Sequence, residues 1–157
     1  MKLPTPLLAF LASLTVIVYP TIACAGEQFF VVVNAENKIS NDSETLHRTL
    51  RRIYLKEITS WPNGDSSIFF ARPEQTLEEQ VFRQMILNMD DDALQEYWTR
   101  LKQIKGETPP RAVSSTRILL RQLQRKTNAV GVISKNEFDA LAGADQNLRI
   151  VATLGTE

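Results

Sequence analysis

The sequence predicts an α/β domain, a mostly parallel sheet flanked by helices, on three observations. Phe29–Val33 is a continuous apolar, β-branched run, the pattern of a strand buried on both faces. Leu46, Leu50, Ile53 and Tyr54, then Leu77, Val81, Phe82, Met85, Ile86 and Met89, recur at helical spacing. Further short strand patterns, "SIFFA", "NAVGVIS" and "LRIVATL", alternate with these helices, and that order implies parallel pairing.

The 157 residues fit one domain behind a leader. Residues 1–25 carry Lys2, a long apolar run and a small-residue end at Ala23-Cys24-Ala25, the layout of an export signal cleaved after Ala25. Residues 26–157 are then the folded domain and its expected location is periplasmic. A lipoprotein anchored through Cys24 is the alternative. Pro4, Pro6 and Pro20 interrupt the run, which argues against a membrane anchor. Cys24 is the sole cysteine, so no disulfide is expected. Eighteen Lys and Arg balance eighteen Asp and Glu, which argues against general nucleic-acid binding.

After the first strand, residues 34–41 are polar, and Asp42 or Ser43 caps a helix through Glu57. Its Arg48, Arg51 and Arg52 read as a solvated face. In Trp61-Pro62-Asn63-Gly64, Pro62 presets φ and Gly64 suits the last turn position, so a tight turn precedes the strand at "SIFFA". A helix follows over 74–88. Asp90-Asp91-Asp92 opens another, where acids oppose the positive helix end, with Leu94, Tyr97, Trp98 and Leu101 on its apolar face. Residues 106–111, with Pro109-Pro110, read as an extended connector. Ser114 or Ser115 caps a helix carrying Ile118, Leu119 and Leu123.

Catalytic chemistry has little to draw on, and the chain is not expected to be an enzyme. His47 is the sole histidine, beside arginines and without a G-x-S-x-G elbow. No His/Cys cluster suits a metal and no glycine-rich loop suits a nucleotide, so no cofactor is expected. The strand-to-helix junction "FFARPEQTLEEQVF" is the candidate site. Free N–H groups at a helix start attract an anion, Arg72 can form a paired contact and Thr76 can donate a hydroxyl. Glu74, Glu78 and Glu79 in the same junction read equally well as acids that stabilise a helix start.

The order of "VVVN", "LRRIYLKEITSWPNG", "IFFARPEQT", "YW", "GETPPRAVSS" and "AVGVIS" resembles the type II periplasmic solute-binding fold, in particular short, single-lobe relatives of phosphate ABC transporter substrate-binding proteins. The resemblance implies that Arg72 and Thr76 hold a small anion such as phosphate, with Glu74 at the family's acidic position and Phe82 at its aromatic one. Gln75 and Leu77 stand in place of two glycines, and Glu78 in place of a threonine. It further implies one lobe of a two-lobed clamshell, completed by a partner or a homodimer, or else a much shallower site. Two roles follow: anion binding in ABC-type transport or its sensing, or a ligand-free interaction module docking on an envelope sensor or transporter.

Overall fold

The computed structural model describes residues 26–40, 42–142 and 147–155. The expected export segment, residues 1–25, lies outside the described residues. No helix among the described residues is long and apolar enough to cross a membrane.

Five strands form one mixed sheet in the order β3-β2-β4-β1-β5. These are β1 (Gln28–Asn34), β2 (Ile68–Ala71), β3 (Arg111–Ala112), β4 (Ala129–Ser134) and β5 (Leu148–Gly155). β3, β2 and β4 run parallel, as the alternation of strands and helices requires. β1 runs antiparallel to both its neighbours, β4 and β5. The chain leaves β1 through α1 (Ser43–Tyr54) and reaches β2 two places away, with β4 inserted between them. A helical crossover between sequence neighbours therefore does not fix the direction of β1.

The alternating faces of β1 feed two cores. Phe29, Val31 and Val33 pack with α1, with α2 (Leu77–Phe82) and with Trp98 of α3 (Asp91–Lys105). Phe30 and Val32 pack on the other face with α4 (Thr116–Arg125) and α5 (Lys135–Leu141). Side chains two residues apart share a face, so a run apolar throughout serves both layers.

Local chemistry sets the element ends. Asp42 accepts from the Thr45 N–H at 3.1 Å, and this hydrogen bond holds its carboxyl below its ordinary pKa. Asp90 accepts from the Ala93 N–H at 2.8 Å, and Ser115 accepts from Ile118, so both cap their helices. Gly106 ends α3 at φ +70°, a conformation that costs other residues a Cβ clash. At the Trp61 turn, the Gly64 N–H donates to the Trp61 carbonyl at 2.9 Å, and Gly64 sits at φ +90°. The Trp61 indole N–H donates to the Asn128 carbonyl at 2.9 Å, which locks the turn against the entry to β4.

The helices α2, α4 and α5 also differ from the sequence reading. The 74–88 helix begins only at Leu77, and its second half, Arg83–Leu87, is π-helical, ending at Asn88 in the left-handed region. Its buried stripe is also rotated. Leu77 and Met85 are exposed, whereas Glu78 and Glu79 are buried. On α4, Ile118 is exposed, and Leu119, Leu120 and Leu123 face the core. Finally, α5 is a helix that apolar periodicity alone does not reveal; Ser134 caps it by accepting from the Glu137 N–H at 3.3 Å.

Asn34, at the end of β1, is buried and ties the sheet to α4. Its amide donates to the carbonyls of Leu123 at 3.1 Å and Gln124 at 2.9 Å, and its oxygen accepts from the Glu36 N–H. Asn34→Ala leaves the carbonyl at the end of α4 buried without this donor. Urea unfolding should show a loss of about 1–3 kcal/mol with the m-value unchanged.

Candidate functional site

The junction after β2 lies at the C-terminal ends of the three parallel strands. In open α/β sheets this is where ligand crevices form. Arg72 follows β2, Val113 follows β3, and Glu137 lies in α5 just after β4. Thr116 opens α4, and Glu78 and Glu79 lie in the first turn of α2.

The Arg72 side chain points inward and is buried. Nη1 donates to the Val113 carbonyl at 2.9 Å, and Nη2 donates to Thr116 Oγ1 at 3.0 Å. Thr116 Oγ1 in turn donates to Glu137 Oε2 at 2.8 Å. Two carboxylates stand beside the same guanidinium nitrogen, Glu78 Oε1 at 3.6 Å and Glu137 Oε2 at 3.7 Å. Of the three guanidinium nitrogens of Arg72, Nε is the one buried without a hydrogen-bond partner. Arg72 thus spans β2, the end of β3, α2, α4 and α5, and the chain's own carboxylates supply its counter-charge.

Thr76 is committed to the backbone. Its hydroxyl donates to the Pro73 carbonyl at 2.8 Å and accepts weakly from the Glu79 N–H at 3.4 Å, which makes it the N-cap of α2. The structure therefore brings Arg72 and Thr76 to one junction but gives the hydroxyl an internal task. Glu78 and Glu79 are not solvated helix-start acids, as their charge alone suggested. They turn inward because Arg72, Tyr54 and a backbone N–H offer them partners.

Glu79 is the more enclosed of the two. Its Oε1 accepts from the Tyr54 hydroxyl, and its Oε2 accepts from the Arg72 backbone N–H at 3.3 Å. Burial pushes its carboxyl above the usual range, against these two hydrogen bonds and Arg83, and Glu74 adds to the rise. Burial, and then the neighbouring Glu79 carboxylate, hold the Tyr54 phenol protonated far above its ordinary value. Tyr54 also stacks edge-on with Phe69, ring centres 5.0 Å apart, and lies 5.4 Å from Phe82. Phe82 fills the aromatic position as core. A cavity of about 50 Å³ adjoins this group, lined in part by Glu79, Arg83 and Trp98. Arg83 pairs with Asp91 across the mouth of α3.

Other residues singled out from sequence lie elsewhere. His47 is half-buried on α1 and belongs to neither the junction nor the cavity. Arg48 pairs with Glu44 at 2.8 Å, Arg52 with Glu57 at 3.6 Å, and Arg51 Nε donates to the Leu87 carbonyl. Among the described residues no cluster of His, Cys, Asp and Glu could hold a metal. Sequence reasoning missed Tyr54, Thr116 and Glu137 as site residues. For Glu137 a local signal existed, the Ser134-x-x-Glu137 capping pattern. For the other two none did.

Solved structures share this fold. An ABC-type phosphate transport receptor from Vibrio cholerae matches with a TM-score of 0.56 at 18% identity, over 80% of this chain and 45% of its own. PstS from Borrelia burgdorferi matches with a TM-score of 0.56 at 16% identity, over 80% of this chain and 46% of its own. The chain has the fold of the phosphate ABC transporter substrate-binding proteins. It spans less than half the length of these two, the extent of a single lobe. No family model matches the sequence, and no curated protein does.

Two variants test the site. Arg72→Met keeps the stem but strands Glu78 and Glu137 without their cation, so chemical denaturation should show a loss of about 3–5 kcal/mol. An arginine serving only a ligand would leave stability nearly unchanged. Glu79→Gln tests the raised carboxyl. A group with its pKa raised on folding contributes stability at low pH, and that contribution is lost as pH climbs from about 4.5 towards the folded value. Subtracting the variant's stability–pH curve from that of the wild type should leave a falling slope in that window.

Proposed function

We propose that the chain is an exported, single-lobe, solute-binding-type protein that acts by docking on an envelope partner, a transporter or a sensor. One observation carries this reading: the guanidinium at the expected anion position already faces two carboxylates of its own chain. Glu78 Oε1 stands 3.6 Å from Arg72 Nη2, and a second negative charge brought beside it costs Coulomb energy in a low-dielectric site. Gln75 and Leu77 carry Cβ atoms where a close backbone approach favours glycine.

A second reading is capture of a small anion such as phosphate in transport or its sensing. The fold of a phosphate transport receptor favours it, as does the place of Arg72 at the ends of the parallel strands. It requires Glu78 and Glu137 to leave the guanidinium as the anion enters.

Thermal unfolding with millimolar phosphate, sulfate and small carboxylates separates the two. A ligand at a hundred times its Kd stabilises by about 2.7 kcal/mol. The docking reading predicts no saturable rise in Tm. A saturable rise that Glu78→Thr strengthens would overturn it in favour of anion capture. Crosslinking in the native envelope gives the complementary result: a protein that remains alone and monomeric contradicts docking.

A further inference from the structure

The opposite end of the sheet from Arg72 carries a second feature. β2 pairs with β4 from Ile68 onward, but β3 joins it only at Phe70, opposite Arg111. Below that point, the Ser67 N–H donates to the Thr59 carbonyl at 2.9 Å, which closes the edge beside the Trp61 turn. Between Thr59 and Arg111, Ile68 and Phe69 have no strand on this side among the described residues. The chain cannot readily close the gap itself. Pro109 and Pro110, which lead into β3, have no N–H to donate to a ladder.

A cavity of about 630 Å³ opens at this gap, within the range of ligand and peptide sites. Its floor is apolar, with Ile53 and Phe69 from one core and Phe70 from the other. Its rim is cationic. Lys56 is paired with Glu107 at 2.8 Å, the one carboxylate lining the cavity among the described residues. Arg111 and Lys126 are exposed and pair with no carboxylate among the described residues; Lys126 lies 5.8 Å from the centre of the Phe70 ring. Three cations against one anion, in a chain whose formal charge is zero, mark this rim as a concentrated positive patch.

We propose that this notch receives an extended, acidic peptide segment of the partner, added as a short strand along the free edge of β2. The Ile68 N–H already donates to the Asn128 carbonyl at 3.1 Å, so hydrogen bonding to the Phe69 N–H, which alternates with it and faces the gap, would supply backbone affinity, and alternate side chains would enter the apolar floor. Carboxylates of the segment would meet Arg111 and Lys126, which gives a charge preference and faster association. A second copy of this chain fits less well, since two copies of the same edge would set cationic rims against each other. The inference rests on the docking role above and names the chemistry of its partner.

Selection from a displayed library of linear peptides tests it, with wild-type protein as bait. The expected winners interleave two or more Asp or Glu with β-branched or aromatic residues and lack proline. Affinity of a winner, read by fluorescence anisotropy, should fall at least about tenfold in Arg111→Glu/Lys126→Glu and weaken as salt rises. Both positions are exposed, and circular dichroism confirms that the variant folds. Arg111→Gln/Lys126→Gln should give an intermediate loss. No acidic consensus, a winner that binds the charge-reversed variant equally well, or selection of basic peptides overturns the proposal. These readouts involve neither Arg72 nor Glu78, so failure here is separable from failure of the docking role, which the anion titration and crosslinking decide.

Discussion

The buried guanidinium of Arg72 is the constraint on which the C-terminal ends of the parallel strands depend. A charge placed there must be matched, because leaving it unpaired away from water costs several kcal/mol. The Val113 carbonyl, Thr116, Glu78 and Glu137 share that task. Each comes from a different segment, so satisfying one side chain sets the relative positions of the end of β3, α4, α2 and α5. The rotation of α2 that buries Glu78 also buries Glu79, which is then matched by Tyr54 and the Arg72 N–H. Exposure of Leu77 and Met85 follows from the same rotation.

The two ends of the parallel strands are built on opposite principles. At the Arg72 end the chain's own carboxylates, a hydroxyl and a backbone carbonyl surround the guanidinium. At the other end Pro109 and Pro110 keep a sheet edge open beside apolar floor and cationic rim. Natural sheets commonly cover or blunt such edges.

Much of this architecture is legible in the sequence wherever a local rule governs it. Asp42, Asp90 and Ser115 cap because the cap bond reaches only three residues along the chain. The Trp61-Pro62-Asn63-Gly64 turn forms because Pro62 and Gly64 restrict or free φ at the required places. The two-faced burial of Phe29–Val33 follows from its unbroken apolar run. What is not legible depends on partners far apart in the chain. The direction of β1 is set by β4 and β5, about a hundred residues away, and the apolar run is the same for either direction. Glu78 and Glu79 read as helix-start acids because charge and position alone show neither the inward turn of Arg72 nor the approach of the Tyr54 hydroxyl from α1. Tyr54 reads as a core aromatic because its ring is core and only its hydroxyl serves the site. Arg72 and Thr76 were recognisable as a junction pair, whereas the tasks their polar atoms already perform emerge only when β3, α4 and α5 are assembled around them.

The central claim is that Arg72 is neutralised from within, and a double-mutant cycle on Arg72→Met and Glu78→Gln measures this most directly. Coupled groups in a shared buried network show interaction energies of about 0.5–3 kcal/mol. The account predicts a coupling in the upper part of that range, unchanged by added phosphate. Additive effects of the two substitutions, or a coupling that phosphate abolishes, would contradict it.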